Sequence, residues 1–164
     1  MEAGTNTLDR VGCELIAGSL RAGHEVRIRV AGSSMVPALW PGDELIVRAL
    51  GLAEPSRGDL LLFVRDGGLC THRLIGRMDV SGVPRLITRG DAAVKCDPPK
   101  SPEEILGSVV SAFRDGHQVS LASSRTRKLL SFGIRHSKFL RRVVLKIHAI
   151  RHHLWTTSDT RCRA

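Results

Sequence analysis

Short runs that alternate apolar and polar residues, broken by glycine-bearing turns, predict a mainly β fold. The class is a β-rich α+β domain with antiparallel pairing. Two further observations frame it. Helical spacing marks the first 24 residues, and a basic amphipathic pattern marks the chain beyond residue 121. The expected organisation is therefore an N-terminal helical segment (1–24), a β domain (25–121) and a basic helical tail (122–164).

In the first segment Leu8, Val11, Leu15, Ile16 and Leu20 recur at three- and four-residue steps, and Ala22-Gly23 ends the run. That spacing predicts a short helix over 8–20. Glu25–Val30 then alternates charged and apolar residues, as a strand with one wet face does. Further strands are expected at Glu44–Arg48, Asp59–Val64, Cys70–Ile75, Arg85–Thr88 and Gly107–Phe113. Turns are expected at Pro41-Gly42, Asp66-Gly67-Gly68, Ser81-Gly82 and Asp115-Gly116. After the linker Ser123–Thr126, apolar residues from Leu129 to Leu154 fall mostly on one helical face, which predicts a basic amphipathic helix over roughly 135–155.

The chain of 164 residues carries a formal net charge of +9, and the excess is local. Residues 122–164 hold eleven Lys and Arg against the single acid Asp159, which leaves the body at −1. Arguments from basicity to anionic partners therefore concern the tail. Three readings of it stay open: a solvated helix packed on the body, peripheral contact of residues 125–155 with an anionic membrane, and nucleic-acid binding. The last is disfavoured, because the tail has no regular aromatic platform.

The four cysteines (Cys13, Cys70, Cys96, Cys162) stand far apart without metal-ligand spacing, so neither a zinc site nor a disulfide scaffold is expected. His148 and His152 are four apart, but no Cys or acid joins them as a metal site. No metal and no cofactor is expected. No stretch reaches the ~18 apolar residues of a membrane span, and the basic-then-apolar pattern of a signal peptide is absent. A peripheral membrane-associated or cytoplasmic protein is expected.

Three segments offer chemistry. Gly32–Asp43 contains Ser33 and Ser34 on a glycine-bearing turn; Thr71–Gly76 contains His72; Thr88–Asp97 contains Asp91 and Asp97. A hydroxyl is a weak nucleophile until a base accepts its proton; imidazole suits that role, and a carboxylate can orient the imidazole. Residue types alone do not bring these groups together. On that basis turn serines, a half-buried strand histidine and a turn carboxylate are the plainer account.

The strings themselves say more. Ser34-Met35-x-Pro37-x-Leu39-x-x-Gly42-Asp43, followed by Arg57-Gly58-Asp59 and the apolar run Leu60–Phe63, resembles the type I signal peptidase superfamily of serine endopeptidases over about residues 28–112. The resemblance implies a signal-peptidase/SOS-repressor-like antiparallel β domain with Ser34 as nucleophile. Where many members carry a general-base Lys, this chain has His72; Lys95 and Lys100 lie outside that motif. It is thus similar to the Ser-His-Asp branch of the endoplasmic-reticulum and archaeal enzymes. Their Thr-Lys-Gly-Asp string, with an Asp six positions on, corresponds to Thr88-Arg89-Gly90-Asp91 and Asp97. The resemblance implies Asp97 as the partner of His72 and Asp91 as a supporting residue.

It also implies an oxyanion and substrate-binding segment of Gly32, Ser33, Ser34, Met35 and Pro37. The hydroxyl that many members carry two positions before the nucleophile is replaced by Gly32, so a second donor is either missing or supplied from elsewhere, with Ser33 as one candidate. The Asn residues usual after Gly-Asp are Ala92 and Ala93. Trp40 is read either as core or as a rim contact. The implied activity is cleavage of a leader or signal segment from a peptide or preprotein substrate by acyl transfer. A self-cleaving regulator of the SOS-repressor type, with candidate bonds at Ala17-Gly18, Ala22-Gly23 and Ala31-Gly32, and a non-catalytic peptide- or membrane-binding module are the alternatives.

Overall fold

A computed structural model of the chain describes residues 3–51, 54–121 and Lys146. The expected tail helix falls on residues that lie outside this description. The described body is mainly β: one N-terminal helix, α1 (Ala3–Arg21), and a seven-stranded antiparallel open sheet. The strands are β1 (Val26–Arg29), β2 (Glu44–Arg48), β3 (Leu60–Arg65), β4 (Gly68–Val80), β5 (Val83–Arg89), β6 (Ile105–Arg114) and β7 (His117–Val119). A single 3-10 turn, Pro102–Glu104, precedes β6.

The sheet runs β1-β2-β6-β3-β4-β5, with β7 on β6. β6 organises it. One side of this strand pairs with β2 along most of its length; the other pairs first with β3 and then, from Ala112, with β7. Three hairpins close on two-residue turns: Asp66-Gly67, Ser81-Gly82 and Asp115-Gly116. Both turn residues have positive φ in every case, between 50° and 79°. Such turns match the right-handed twist of the flanking strands, and Asp, Ser and Gly are the side chains that tolerate the left-handed backbone best.

β3 explains where the core lies. Leu60, Leu61, Leu62 and Phe63 are all buried, so this strand is covered on both faces. Leu60 and Leu62 join Leu20 of α1, Leu45, Val47, Met35 and Leu39 in one apolar cluster. Leu61 and Phe63 face the other way, with Leu74, Leu86 and Ile105. His72 and Thr88 lie on the second face, paired with Leu61 and Leu74 in the register of the sheet.

No helix among the described residues is long and apolar enough to cross a membrane.

Candidate active site

The segment between β1 and β2 is a closed lobe. Val30 N–H donates to the Asp43 carbonyl and Gly42 N–H to the Val30 carbonyl, both at 2.8 Å, so the chain leaves and re-enters the sheet at one neck. Inside it, Ala38 and Leu39 N–H donate back to the Met35 carbonyl at 2.9 and 3.1 Å, and the Val36-Pro37 peptide is cis. Met35, Val36, Ala38 and Leu39 anchor the lobe in the core. Asp43, fully buried, accepts the Trp40 N–H at 2.8 Å and a two-point ion pair from Arg114 at 2.7 Å for each contact. Bidentate pairing of this kind fixes geometry as well as adding energy. Trp40 is tied into the same knot: its indole N–H donates to the Pro37 carbonyl at 3.0 Å, and the Arg114 guanidinium lies 5.8 Å from its ring centre.

Ser34 emerges from this lobe toward β4. Its Oγ lies 3.1 Å from His72 Nε2, and His72 Nδ1 lies 2.6 Å from Asp97 Oδ2. Groups 38 and 25 residues apart along the chain thus form one hydrogen-bonded line. His72 is 2% exposed, deeper than the half-buried strand histidine that residue type suggests, because β3 and the Thr88–Asp97 segment cover it. The Phe63 ring meets it edge-on at 5.8 Å. This packing restricts the imidazole to one orientation.

Asp97 is held by more than His72. Thr88, buried on β5, donates its hydroxyl to Asp97 Oδ2 at 2.6 Å, and its carbonyl accepts the Asp97 N–H at 2.8 Å. Arg65 donates to the other oxygen, Oδ1, at 3.1 Å. Three donors on two oxygens fix the plane of the carboxylate, and the Asp97 side chain is only 8% exposed.

Asp91 does different work. It receives Nε and Nη2 of Arg73 at 2.9 and 2.8 Å, and Arg73 also donates to the carbonyls of Gly58 and Leu121. This buried clamp ties the β5–β6 connection to β4 and to the end of the described body. Replacing Asp91 with Ala would leave a buried guanidinium without its carboxylate. The expected cost is about 3–5 kcal/mol of folding stability, read as a lower urea midpoint at unchanged slope. An unchanged midpoint would contradict the clamp.

Gly90 makes the closest approach in the site. A Cβ built there would lie 2.7 Å from the Ser34 carbonyl oxygen, 3.0 Å from His72 Nε2 and 3.2 Å from Ser34 Cβ. Two residues on, the Ala92 N–H donates to that same Ser34 carbonyl at 2.9 Å. The segment after β5 therefore packs directly on the Ser34–His72 pair, and only a glycine fits.

A groove of about 400 Å³ opens at Ser34. One wall is the end of β1 and the exposed Ala31-Gly32 backbone; the other is the β3–β4 hairpin from Arg65 to Thr71; Met35, Leu39 and Leu45 form its apolar base. Cys70 lies on the hairpin wall, and burial pushes its thiol up despite the opposing pull of the Arg65 cation. Its reactive thiolate therefore appears only at more alkaline pH than an ordinary cysteine's. In a brief iodoacetamide pulse at pH 8, peptide mapping should find exposed Cys96 alkylated while Cys70 remains largely free. Faster alkylation at Cys70 would contradict this environment.

Of the sequence candidates, Ser34, His72 and Asp97 lie in one line, Gly32, Ser34 and Met35 border the groove, and Asp91 stands apart on Arg73. Ser33 accepts the Val36 N–H through its carbonyl at 3.3 Å, and Pro37 is buried in the lobe. Thr88, Gly90, Arg65 and Arg73 are the residues that motif reasoning left without roles. The period-two register of β3, β4 and β5 would have placed Arg65, His72 and Thr88 on one face, but only once the strand pairing was known. No family model matches the chain, and no match is found among curated proteins.

Proposed function

We propose that the protein is a serine endopeptidase of the signal-peptidase type, cleaving a leader or signal segment from an extended peptide or preprotein. The observation that carries this reading is the unbroken line Ser34 Oγ–His72 Nε2–Asp97 Oδ2 at 3.1 and 2.6 Å, opening onto a groove with exposed backbone on one wall.

In the proposed reaction His72 accepts the Ser34 proton as Oγ attacks the scissile carbonyl, and then protonates the leaving amine. Asp97 keeps Nδ1 as the protonated nitrogen and stabilises the imidazolium. The Ser34 backbone N–H is the proposed oxyanion donor. The resulting acyl-Ser34 is hydrolysed by water activated by the same imidazole. The groove suits an extended peptide, because a substrate strand can pair with the exposed Ala31-Gly32 backbone while its side chains alternate into the apolar base. Contact of the basic tail with anionic lipid remains part of the proposal; it would bring a membrane-bound preprotein to this groove.

Self-cleavage at the first of its three candidate bonds is less well supported. The Ala17-Gly18 bond is inside α1 with Ala17 buried, whereas a scissile bond must be extended to lie in a groove.

A serine-directed fluorophosphonate tests the activated nucleophile. Intact mass should show one adduct, mapped to Ser34, and none in His72→Ala. Adducts on other serines, or equal labelling of the His72 variant, would overturn the assignment.

A further inference from the structure

Arg65 belongs both to the groove wall and to the Ser34–His72–Asp97 line. Its Nη1 holds Asp97 Oδ1 at 3.1 Å, yet its side chain is 43% exposed and the residue is among those that line the groove. A guanidinium binds a carboxylate best through its Nε–Nη2 edge, which offers two parallel N–H donors. Arg73 spends that edge on Asp91, and Arg114 spends it on Asp43. Arg29, across the groove, gives its Nη2 to Glu44. The same edge of Arg65 makes no hydrogen bond to a described residue; its Nε forms only a long ion pair, 3.8 Å, with Oδ2 of Asp66, a turn residue whose side chain is 94% exposed.

From this open edge we infer that Arg65 is a specificity-determining residue, which takes the carboxylate of an Asp or Glu side chain in the peptide lying in the groove. The inference rests on the peptidase reading for its substrate and goes beyond it, because it gives one subsite a charge preference. Nη1 and the Nε–Nη2 edge are different donors, so Arg65 binds the peptide carboxylate without releasing Asp97. The preference is therefore for acidic peptides and does not come at the expense of the line behind it. Asp66 is the internal competitor: its exposed carboxylate already forms the long ion pair with the same edge.

Binding is read first on the Ser34→Ala protein, which holds peptides without turning them over. The probes are neutral Ala/Val-rich peptides, amidated at the C-terminus, in which a single Glu or its Gln counterpart is moved along the sequence. At one position Glu should bind about fivefold more tightly than Gln at low salt, the strength of a partly exposed ion pair. The preference should fall to about one when Arg65→Gln is added, and it should persist or grow with Asp66→Asn. Equal binding of Glu and Gln at every position, a preference that survives Arg65→Gln, or no peptide binding would each overturn the inference.

Cleavage by the wild type separates the two proposals. Peptides cut without regard to Glu would sink the specificity claim alone. An Arg65-dependent Glu preference in a protein that cuts nothing would sink the peptidase reading and leave the carboxylate site standing.

Discussion

Asp97→Asn is expected to lower kcat/KM for peptide cleavage by roughly 10³–10⁴ while leaving the fold intact. The cause is the tautomer. Asp97 Oδ2 accepts from His72 Nδ1 at 2.6 Å and from the Thr88 hydroxyl at 2.6 Å, so the carboxylate holds the proton on Nδ1 and leaves Nε2 free to receive the Ser34 proton. An amide can turn its NH2 toward Nδ1, reverse the tautomer and make Nε2 a donor, which no longer serves as a base. Nearly isosteric replacement keeps Arg65 and Thr88 in reach, so the loss should fall on kcat with little change in the urea midpoint. A variant that keeps more than a tenth of the wild-type rate would show that Asp97 does not orient the base.

Gly90→Ala is expected to lower kcat/KM by at least about 10², again in a folded protein. A methyl group there would stand 2.7 Å from the Ser34 carbonyl oxygen and 3.0 Å from His72 Nε2, contacts too short to keep. The obstruction is backbone on one side and the base on the other, so relief requires the Ser34 lobe or the imidazole to move by some tenths of an ångström. The lobe resists, because its neck bonds and the buried Asp43–Arg114 pair fix it. The imidazole resists because Phe63 and Asp97 hold it. Single-turnover kinetics separate the effect: the chemical step should slow while peptide affinity, set farther along the groove, changes little. Wild-type turnover in Gly90→Ala would mean that the Ser34–His72 spacing does not limit the reaction.

The two substitutions also mark where sequence reading stopped. Strands and turns were legible where physics acts locally. The alternation of Glu25–Val30 anticipates β1, and Asp66-Gly67, Ser81-Gly82 and Asp115-Gly116 anticipate three hairpin turns. What was missed has little pattern of its own. β4 continues to Val80 because hairpin pairing extends it, although Arg77–Val80 are exposed and show no wet-and-dry alternation. β5 starts at Val83 and includes Pro84, which is tolerated because β5 is an edge strand. β7 is three residues long, too short for any periodicity. α1 begins at Ala3 rather than Leu8, since its first turns carry no apolar spacing.

The site divides the same way. Ser34, His72 and Asp97 were named from their strings, but nothing in spacing brings residues on a lobe, a strand and a returning loop within hydrogen-bond reach. Register does that: Leu61 opposite His72 and Leu74 opposite Thr88 put the imidazole and the hydroxyl on the Phe63 face, where Asp97 is drawn in by its N–H bond to the Thr88 carbonyl. Arg65 shares that face as the neighbour of Phe63 two residues on. Its role could not be read before the β3–β4 pairing was known.

The most direct test of the central claim is cleavage of a pool of leader-like peptides in the presence of anionic vesicles, followed by mass spectrometry. Wild type is compared with Ser34→Ala, and the protein's own mass is recorded in the same spectra. New peptide fragments are expected with wild type alone, with the protein's own mass unchanged. Fragments produced equally by Ser34→Ala would contradict the assigned nucleophile, and shortening of the protein itself without peptide cleavage would replace this account with self-processing.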